Sequence, residues 1–181
     1  SDEAHVNVDE CGAPEKITGA KLEDLHSEDG KITVEQMKPL LEIKAEPHHS
    51  VPAAISITQA TEVGTVYTPE EIKKITSFAH ENNLVVHMDG ARIANAAAWF
   101  EGDILSITRD AGIDILSFGG AKNGAMYGEA VVFFNKTLCK NMPYFRKQGM
   151  QLASKMRYIS AQFTSLLKNE LWLKNARHAN K

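Results

Sequence analysis

His87-Met88-Asp89-Gly90-Ala91-Arg92 is the stretch on which the fold turns. The apolar run Leu84-Val85-Val86 precedes it and an alanine-rich helical pattern follows. A carboxylate and a guanidinium therefore sit where a strand gives way to a helix. In open α/β sheets, ligands bind beyond the carboxyl ends of the strands. A second strand pattern, Asp114-Ile115-Leu116-Ser117-Phe118, runs into Gly119-Gly120-Ala121-Lys122-Asn123-Gly124 and brings a lysine to the end of another strand. Asp89, Arg92 and Lys122 thus converge on one edge of the expected sheet.

Working outward, Ala53 to Thr58 reads as a short buried strand. The irregular link Gln59–Tyr67 follows, and long links inside a domain are often functional. Thr68-Pro69-Glu70-Glu71 is the strongest helix start: Thr68 caps, Pro69 suits the first helical position, and Glu71 closes a capping box. Ile72, Ile75 and Ala79 form its buried stripe, and Asn82-Asn83 ends it. Strand 84–88, a helix from about Ala91 to Trp99, a shorter helical piece after Asp103, strand 114–118 and strand 130–134 complete the alternation. Such alternation favours a three-layer α/β fold with a mostly parallel sheet and flanking helices. The last two strands are too close for a helical crossover, so they pair antiparallel.

Upstream, Val6–Asp9 is either a short extended piece or the start of a helix. Residues 20–25 read as a short strand, and Thr33-Val34-Glu35-Gln36 as a capping box opening a helix from Val34 to Ile43. Downstream of Tyr144 the chain reads as helical, with Leu152, Met156, Ile159 and Phe163 at helical spacing and Gly149 interrupting.

The 181 residues suffice for one domain with a real core, and the mix of 43% hydrophobic and 24% charged residues suits a soluble globular protein. A net charge of -3 gives no electrostatic case for nucleic acid. No apolar run approaches the roughly 20 residues of a membrane span, and no signal peptide is visible. Cys11 and Cys139 have neither zinc spacing nor the density of a disulfide framework, so a cytoplasmic setting is expected.

Each candidate side chain has a plain reading beside a chemical one. Lys122, after an uncharged strand and between glycines, is either a surface lysine in a turn or an amine able to form a Schiff base. Asp89 is either a helix N-cap or a functional carboxylate. Arg92 could pair with Asp89 or with another acid. The glycines around Lys122 either admit a phosphate close to the backbone or make a tight turn. His5, His48, His49 and His87 are candidates for ring stacking or proton transfer. His87 alternates with Asp89 along a strand, so the two face the same side. Taken together, an acid, a lysine and a cation at strand ends match the needs of a pyridoxal-type electron sink.

These residues carry a resemblance. His87–Ile93 resembles the H-x-D-G-A-R motif of the threonine aldolases, within the aromatic amino acid β-eliminating lyase/threonine aldolase family. Ser117–Gly124 resembles that family's cofactor-lysine segment, and the spacing of 33 residues from Asp89 to Lys122 suits it. Glu62–Thr68, Lys155-Met156-Arg157, and Ala4-His5 followed by Glu10-Cys11-Gly12-Ala13 are similar to the same group. The resemblance implies pyridoxal 5'-phosphate as cofactor, with Lys122 bonded to its aldehyde and Asp89 against its pyridine nitrogen. It implies Arg92 at the cofactor O3' or the substrate carboxylate, His5 stacked on the ring, and His48 or His49 near the substrate hydroxyl.

The implied reaction is retro-aldol cleavage of a β-hydroxy amino acid such as threonine, giving glycine and acetaldehyde. The implied partners are a small amino-acid substrate and further copies of the chain, as a homodimer or homotetramer. Ala121 departs from relatives that carry a hydroxyl residue before the lysine. The resemblance also implies that residues 1–181 are part of a cofactor-binding large domain, with an upstream phosphate-loop segment and a C-terminal small domain outside it. On that basis the isolated chain is expected to be poorly active. A β-eliminating lyase and a non-catalytic domain retaining the fold are the alternatives.

Overall fold

A computed structural model describes residues 1–42 and 47–181. Short helices α1 (His5–Val8) and α2 (Ala13–Thr18) and the longer α3 (Val34–Glu42) lead into strand β1 (Ala54–Thr58). Then come α4 (Pro69–Glu81), β2 (Val85–Gly90), α5 (Ile93–Trp99), β3 (Ile115–Gly119) and β4 (Glu129–Phe133). Helices α6 (Met142–Gln148), α7 (Arg157–Leu167) and α8 (Leu171–Ala179) close the chain. The strands form one sheet in the order β1-β2-β3-β4, with β1, β2 and β3 parallel and β4 antiparallel to β3. The fold is thus the expected mostly parallel sheet with flanking helices.

Local chemistry sets these boundaries. Thr68 accepts from the backbone of Glu71, and the Glu71 carboxylate accepts from the Thr68 N–H, so both halves of the box at the start of α4 are made. The box at Thr33 is only half of what its spacing suggests. Gln36 reaches back to the Thr33 N–H at 2.8 Å, but the Thr33 hydroxyl also donates to the Gln36 side chain, not accepting from its backbone. The expected end of α3 at Ile43 lies outside the described residues.

Period-2 alternation then builds the core. Ile57, Met88 and Leu116 are register neighbours across three strands, each at most 2% exposed. They pack with Ile72, Ile75 and Ala79 of α4 and with Ile93, Ala96 and Ala97 of α5. Each large side chain so buried contributes about 1.5–3 kcal/mol. The opposite parity carries Ser56 beside His87, and Thr58 beside Asp89 and Ser117. One face of the sheet is therefore core, and the other carries this polar row toward its carboxyl end.

Three readings change, and the open choice at Val6–Asp9 is settled for a helix. Residues 20–25 are irregular: among the described residues their only backbone link to the N-terminal segment is Asp2 N–H to Leu25 O, and a lone strand has no ladder to stabilise it. Val6–Asp9 is helical over His5–Val8. The piece after Asp103 is a series of turns ending in a 3-10 turn at Arg109–Ala111. Leu152 lies outside any helix, since the chain breaks at Gly149 and becomes helical again only at Arg157.

Asp114 fastens the amino end of the sheet. Its buried carboxylate accepts from Val86 N–H at 2.8 Å, His80 Nε2 at 2.9 Å and Asn135 Nδ2 at 3.0 Å. Burial alone would raise its pKa, but these hydrogen bonds outweigh burial and hold it below the ordinary value of 3.8. A lowered carboxylate pKa stabilises the fold above the unfolded-state value, and that contribution is lost as pH falls through the folded-state value. Asp114→Ala should cost about 2–4 kcal/mol in urea denaturation at neutral pH, because it strands buried donors. The gap between wild type and Asp114→Asn should shrink as pH falls below 3.8.

Candidate active site

The carboxyl ends of β2 and β3 meet through glycines. A Cβ on Gly119 would lie 2.7 Å from the Ala91 carbonyl carbon and Cα, and a Cβ on Gly90 would lie 2.8 Å from Ser117 O. A Cβ on Gly120 would lie 2.8 Å from Gly128 O. In each case the obstacle is main chain, which cannot rotate away as a side-chain tip can. Glycine at 90 and 119 is what lets Asp89-Gly90-Ala91 and the end of β3 lie side by side, while Gly120 lets the turn before Lys122 pack against Gly128.

Asp89 uses one oxygen locally: Oδ1 accepts from Ala91 N–H at 2.9 Å. It is not an N-cap, since α5 begins at Ile93 and Arg92 holds the cap position without a side-chain capping bond. Among the described residues, Oδ2 has no hydrogen-bond partner. Arg92 does not pair with Asp89. Its Nη2 lies 2.9 Å from Glu62 Oε2 in the link after β1. Arg92 Nη1 and Glu62 Oε1 are both buried without a hydrogen-bond partner among the described residues. That leaves the guanidinium with unused hydrogen-bonding capacity in a part-buried setting, where it is costly.

Lys122 is exposed in the 3-10 turn Ala121–Asn123 and joins no ion pair among the described residues. Its neighbours are tied down on both sides. The Glu129 carboxylate accepts from Gly120 N–H at 2.8 Å and Ala121 N–H at 3.3 Å. Asn123 Nδ2 donates to Trp172 O at 2.9 Å, and Asn175 Nδ2 donates to Asn123 O at 2.8 Å, so α8 grips the turn twice. The backbone donors that glycines could have offered to a phosphate are thus engaged by Glu129.

His87 spans the polar face. It lies 2.9 Å from Ser56 Oγ through Nδ1 and 2.9 Å from Ser117 Oγ through Nε2, joining three strands. Burial lowers its pKa from the ordinary 6.5, and the nearby Asp89 charge opposes this without reversing it. The ring is therefore neutral at pH 7, and hydroxyls on both sides accommodate either tautomer.

His5 Nδ1 pairs with Glu10 Oε1 at 2.9 Å. His48 and His49 sit on an exposed turn. Among the described residues, no hydrogen bond or ion pair links His5, His48 or His49 to Asp89, Arg92 or Lys122. Glu129, Asn123, Asn175 and the pairing role of Glu62 escape the sequence reading, because each depends on a contact between distant segments. No group of three or more His, Cys, Asp or Glu able to hold a metal ion occurs among the described residues.

A parallel sheet with an acid and a lysine on adjacent strand ends, held by close glycine packing, defines a class of α/β site that takes a ligand at the strand carboxyl ends. The family model described as beta-eliminating lyase matches residues 1–181, and the chain belongs to that family. It is 47% identical over 181 residues to a low specificity L-threonine aldolase of a Pseudomonas species, covering 99% of this chain and 52% of that protein. A protein of the same description from Pseudomonas aeruginosa is 44% identical, with 100% and 53% covered. Among solved structures, the Leishmania major threonine aldolase superposes with a TM-score of 0.92 at 31% identity, covering 99% of this chain and 52% of that one. The chain spans about half the length of the curated relatives it matches.

Because Gly119 faces main chain, Gly119→Ala should destabilise the protein by about 1–3 kcal/mol in chemical denaturation, the range for overpacking. Unchanged stability would show that the two strand ends can part at little cost.

Proposed function

We propose that this chain carries the cofactor-binding portion of a pyridoxal 5'-phosphate-dependent aldolase that cleaves a β-hydroxy amino acid, such as threonine or its allo form, to glycine and an aldehyde. The observation that carries the reading is the packing of Gly119 on Ala91, which holds Asp89 and Lys122 on adjacent strand ends. The residues suit the cofactor. Among the described residues Asp89 keeps an oxygen without a hydrogen-bond partner, Lys122 is exposed and joins no ion pair, and Arg92 has an unsatisfied nitrogen. When bound, pyridoxal phosphate supplies an electron sink for the pair released by Cα–Cβ cleavage.

The chain's own groups do the rest. Asp89 Oδ2 would accept a hydrogen bond from the protonated pyridine nitrogen and favour its charged form. Lys122 is the amine that would hold the cofactor at its aldehyde carbon, with water as the group lost. Arg92 contacts the cofactor O3' or the amino-acid carboxylate, with Glu62 fixing one side of its guanidinium. On the resemblance alone, His5 would stack on the ring and His48 or His49 would lie near the substrate hydroxyl, whose proton a base must take. The working form is a homo-oligomer, a dimer or a tetramer. A cytoplasmic setting is consistent with free Cys11 and Cys139. Among the described residues no helix is long and apolar enough to cross a membrane.

With threonine, the purified protein should release acetaldehyde and glycine in equal amounts. Asp89→Asn should lower turnover by on the order of 10²-fold or more, in line with loss of a preorganised charge. Pyruvate and ammonia from a hydroxy amino acid would instead favour β-elimination. Wild-type turnover in Asp89→Asn would remove the role given to Asp89.

A further inference from the structure

Glu129 puts its carboxylate to an unexpected use. It stands at the start of β4, opposite Gly119 in the antiparallel register, and is exposed. An acid in that setting ordinarily meets a cation or water. Among the described residues Glu129 joins no ion pair, although Lys122 follows directly on the turn it holds. Both of its oxygens meet main chain instead. Oε2 accepts from Gly120 N–H at 2.8 Å and Oε1 from Ala121 N–H at 3.3 Å. Two successive backbone N–H groups turned toward one anion form a nest, a device that holds phosphate in other folds. Here the chain fills the nest with its own carboxylate.

The turn needs such a restraint. Gly119 and Gly120 precede Lys122, and glycine has more backbone freedom to lose than any other residue. Packing removes part of that freedom, since a Cβ at 120 would lie 2.8 Å from Gly128 O and 2.9 Å from the Phe163 ring. Packing alone does not fix how the peptide planes 119–120 and 120–121 are turned. Hydrogen bonds to their N–H groups do, and bonds to a charged acceptor are the stronger kind. Beyond the lysine, Trp172 and Asn175 hold Asn123. Lys122 is thus the residue between two anchors, one made by Glu129 and one by α8.

We infer that Glu129 is a positioning residue for Lys122: its carboxylate fills the nest at Gly120 and Ala121 and so sets the point from which the lysine amine reaches an aldehyde. The inference rests on the roles given above to Lys122 and Asp89. A pyridoxal ring held at two points, by the amine at its aldehyde carbon and by Asp89 at its ring nitrogen, gains from the second point only when the two lie at a fixed separation. With the nest empty, the two glycine peptides are free to turn and the second contact is made less often. Phosphate has no part in this gain. Pyridoxal, which carries the aldehyde and the ring nitrogen but no phosphate, must feel it as much as pyridoxal 5'-phosphate does.

Glu129→Ala and Glu129→Gln test it, with Val131→Ala as a control that trims β4 opposite Ser117 without touching the nest. The protein is titrated with pyridoxal and, separately, with pyridoxal 5'-phosphate. The Lys122 amine adds to the aldehyde with loss of water, borohydride delivers hydride to the resulting carbon–nitrogen double bond, and peptide mass mapping reads the occupancy of Lys122. Hydrogen exchange of the peptide bearing residues 119–122 reads the nest without any ligand, and circular dichroism verifies folding. Glu129→Ala should speed exchange in that peptide and weaken Lys122 occupancy by about tenfold for both aldehydes, the scale of one lost charge-assisted hydrogen bond. Glu129→Gln, whose amide oxygen still accepts from one N–H, should lose less, and Val131→Ala should match wild type. Unchanged exchange and occupancy in Glu129→Ala would overturn the role. Equal losses in Glu129→Ala and Val131→Ala would overturn it too, tracing the effect to strand pairing. Tighter binding of pyridoxal 5'-phosphate but not of pyridoxal in Glu129→Ala would also overturn it, revealing a phosphate seat that Glu129 blocks. A wild type with no adduct on Lys122 would overturn the role of Lys122 itself, and the exchange measurement tells that failure from the others.

Discussion

The contact between Gly119 and Ala91 is the constraint on which the site depends. A side chain at 119 would run into main chain, and so would one at 90 or 120. Glycine at 90 and 119 allows the end of β3 and the turn after β2 to approach to backbone distance, and glycine at 120 allows the turn before Lys122 to meet Gly128. Asp89 and Lys122, 33 residues apart in sequence, are brought to one edge by that approach. The restraints around Lys122 follow the same logic. Glu129 holds the backbone before it, and Asn123 with Asn175 fastens the turn after it to α8. Among the described residues the lysine side chain has no ion-pair partner while its main chain is fixed, an arrangement suited to a group that must reach a ligand from a set origin.

The two ends of the sheet divide stability and chemistry. At the amino end, the Asp114 carboxylate accepts from Val86, His80 and Asn135 and binds α4, β2 and the segment after β4 together. At the carboxyl end, Asp89 Oδ2 and Arg92 Nη1 have no partner among the described residues. Satisfied polar groups stabilise, whereas unsatisfied ones mark where a ligand would be welcome. Between the ends, His87 joins three strands through Ser56 and Ser117. Its neutrality keeps a second charge away from Asp89, leaving the carboxylate as the dominant charge on that strand.

Much of this was legible in the residues. The apolar run before His87 and the pattern 114–118 mark two central strands, and Thr68-Pro69-Glu70-Glu71 marks the start of α4, because strand alternation and capping are local. The short link between β3 and β4 required antiparallel pairing, and the sheet has it. What was not legible depends on register and distant contact. Residues 20–25 have strand-like composition but no ladder to join. Leu152 keeps helical spacing with Met156, yet the backbone breaks at Gly149. The partner of Arg92 is an acid 30 residues upstream, and Asn175 lies 52 residues beyond the turn it holds. Nothing in local sequence sets those pairings.

The beta-eliminating lyase family supplies the frame, and the strand-end geometry supplies the reason to assign roles to particular residues. The central claim is that Lys122 is the residue that bonds an aldehyde cofactor. The most direct measurement is borohydride reduction of the protein with pyridoxal 5'-phosphate, followed by proteolysis and peptide mass mapping. The account requires a single stoichiometric pyridoxyl adduct on the peptide bearing Lys122. An adduct spread over surface lysines, or one on any residue other than Lys122, would contradict it.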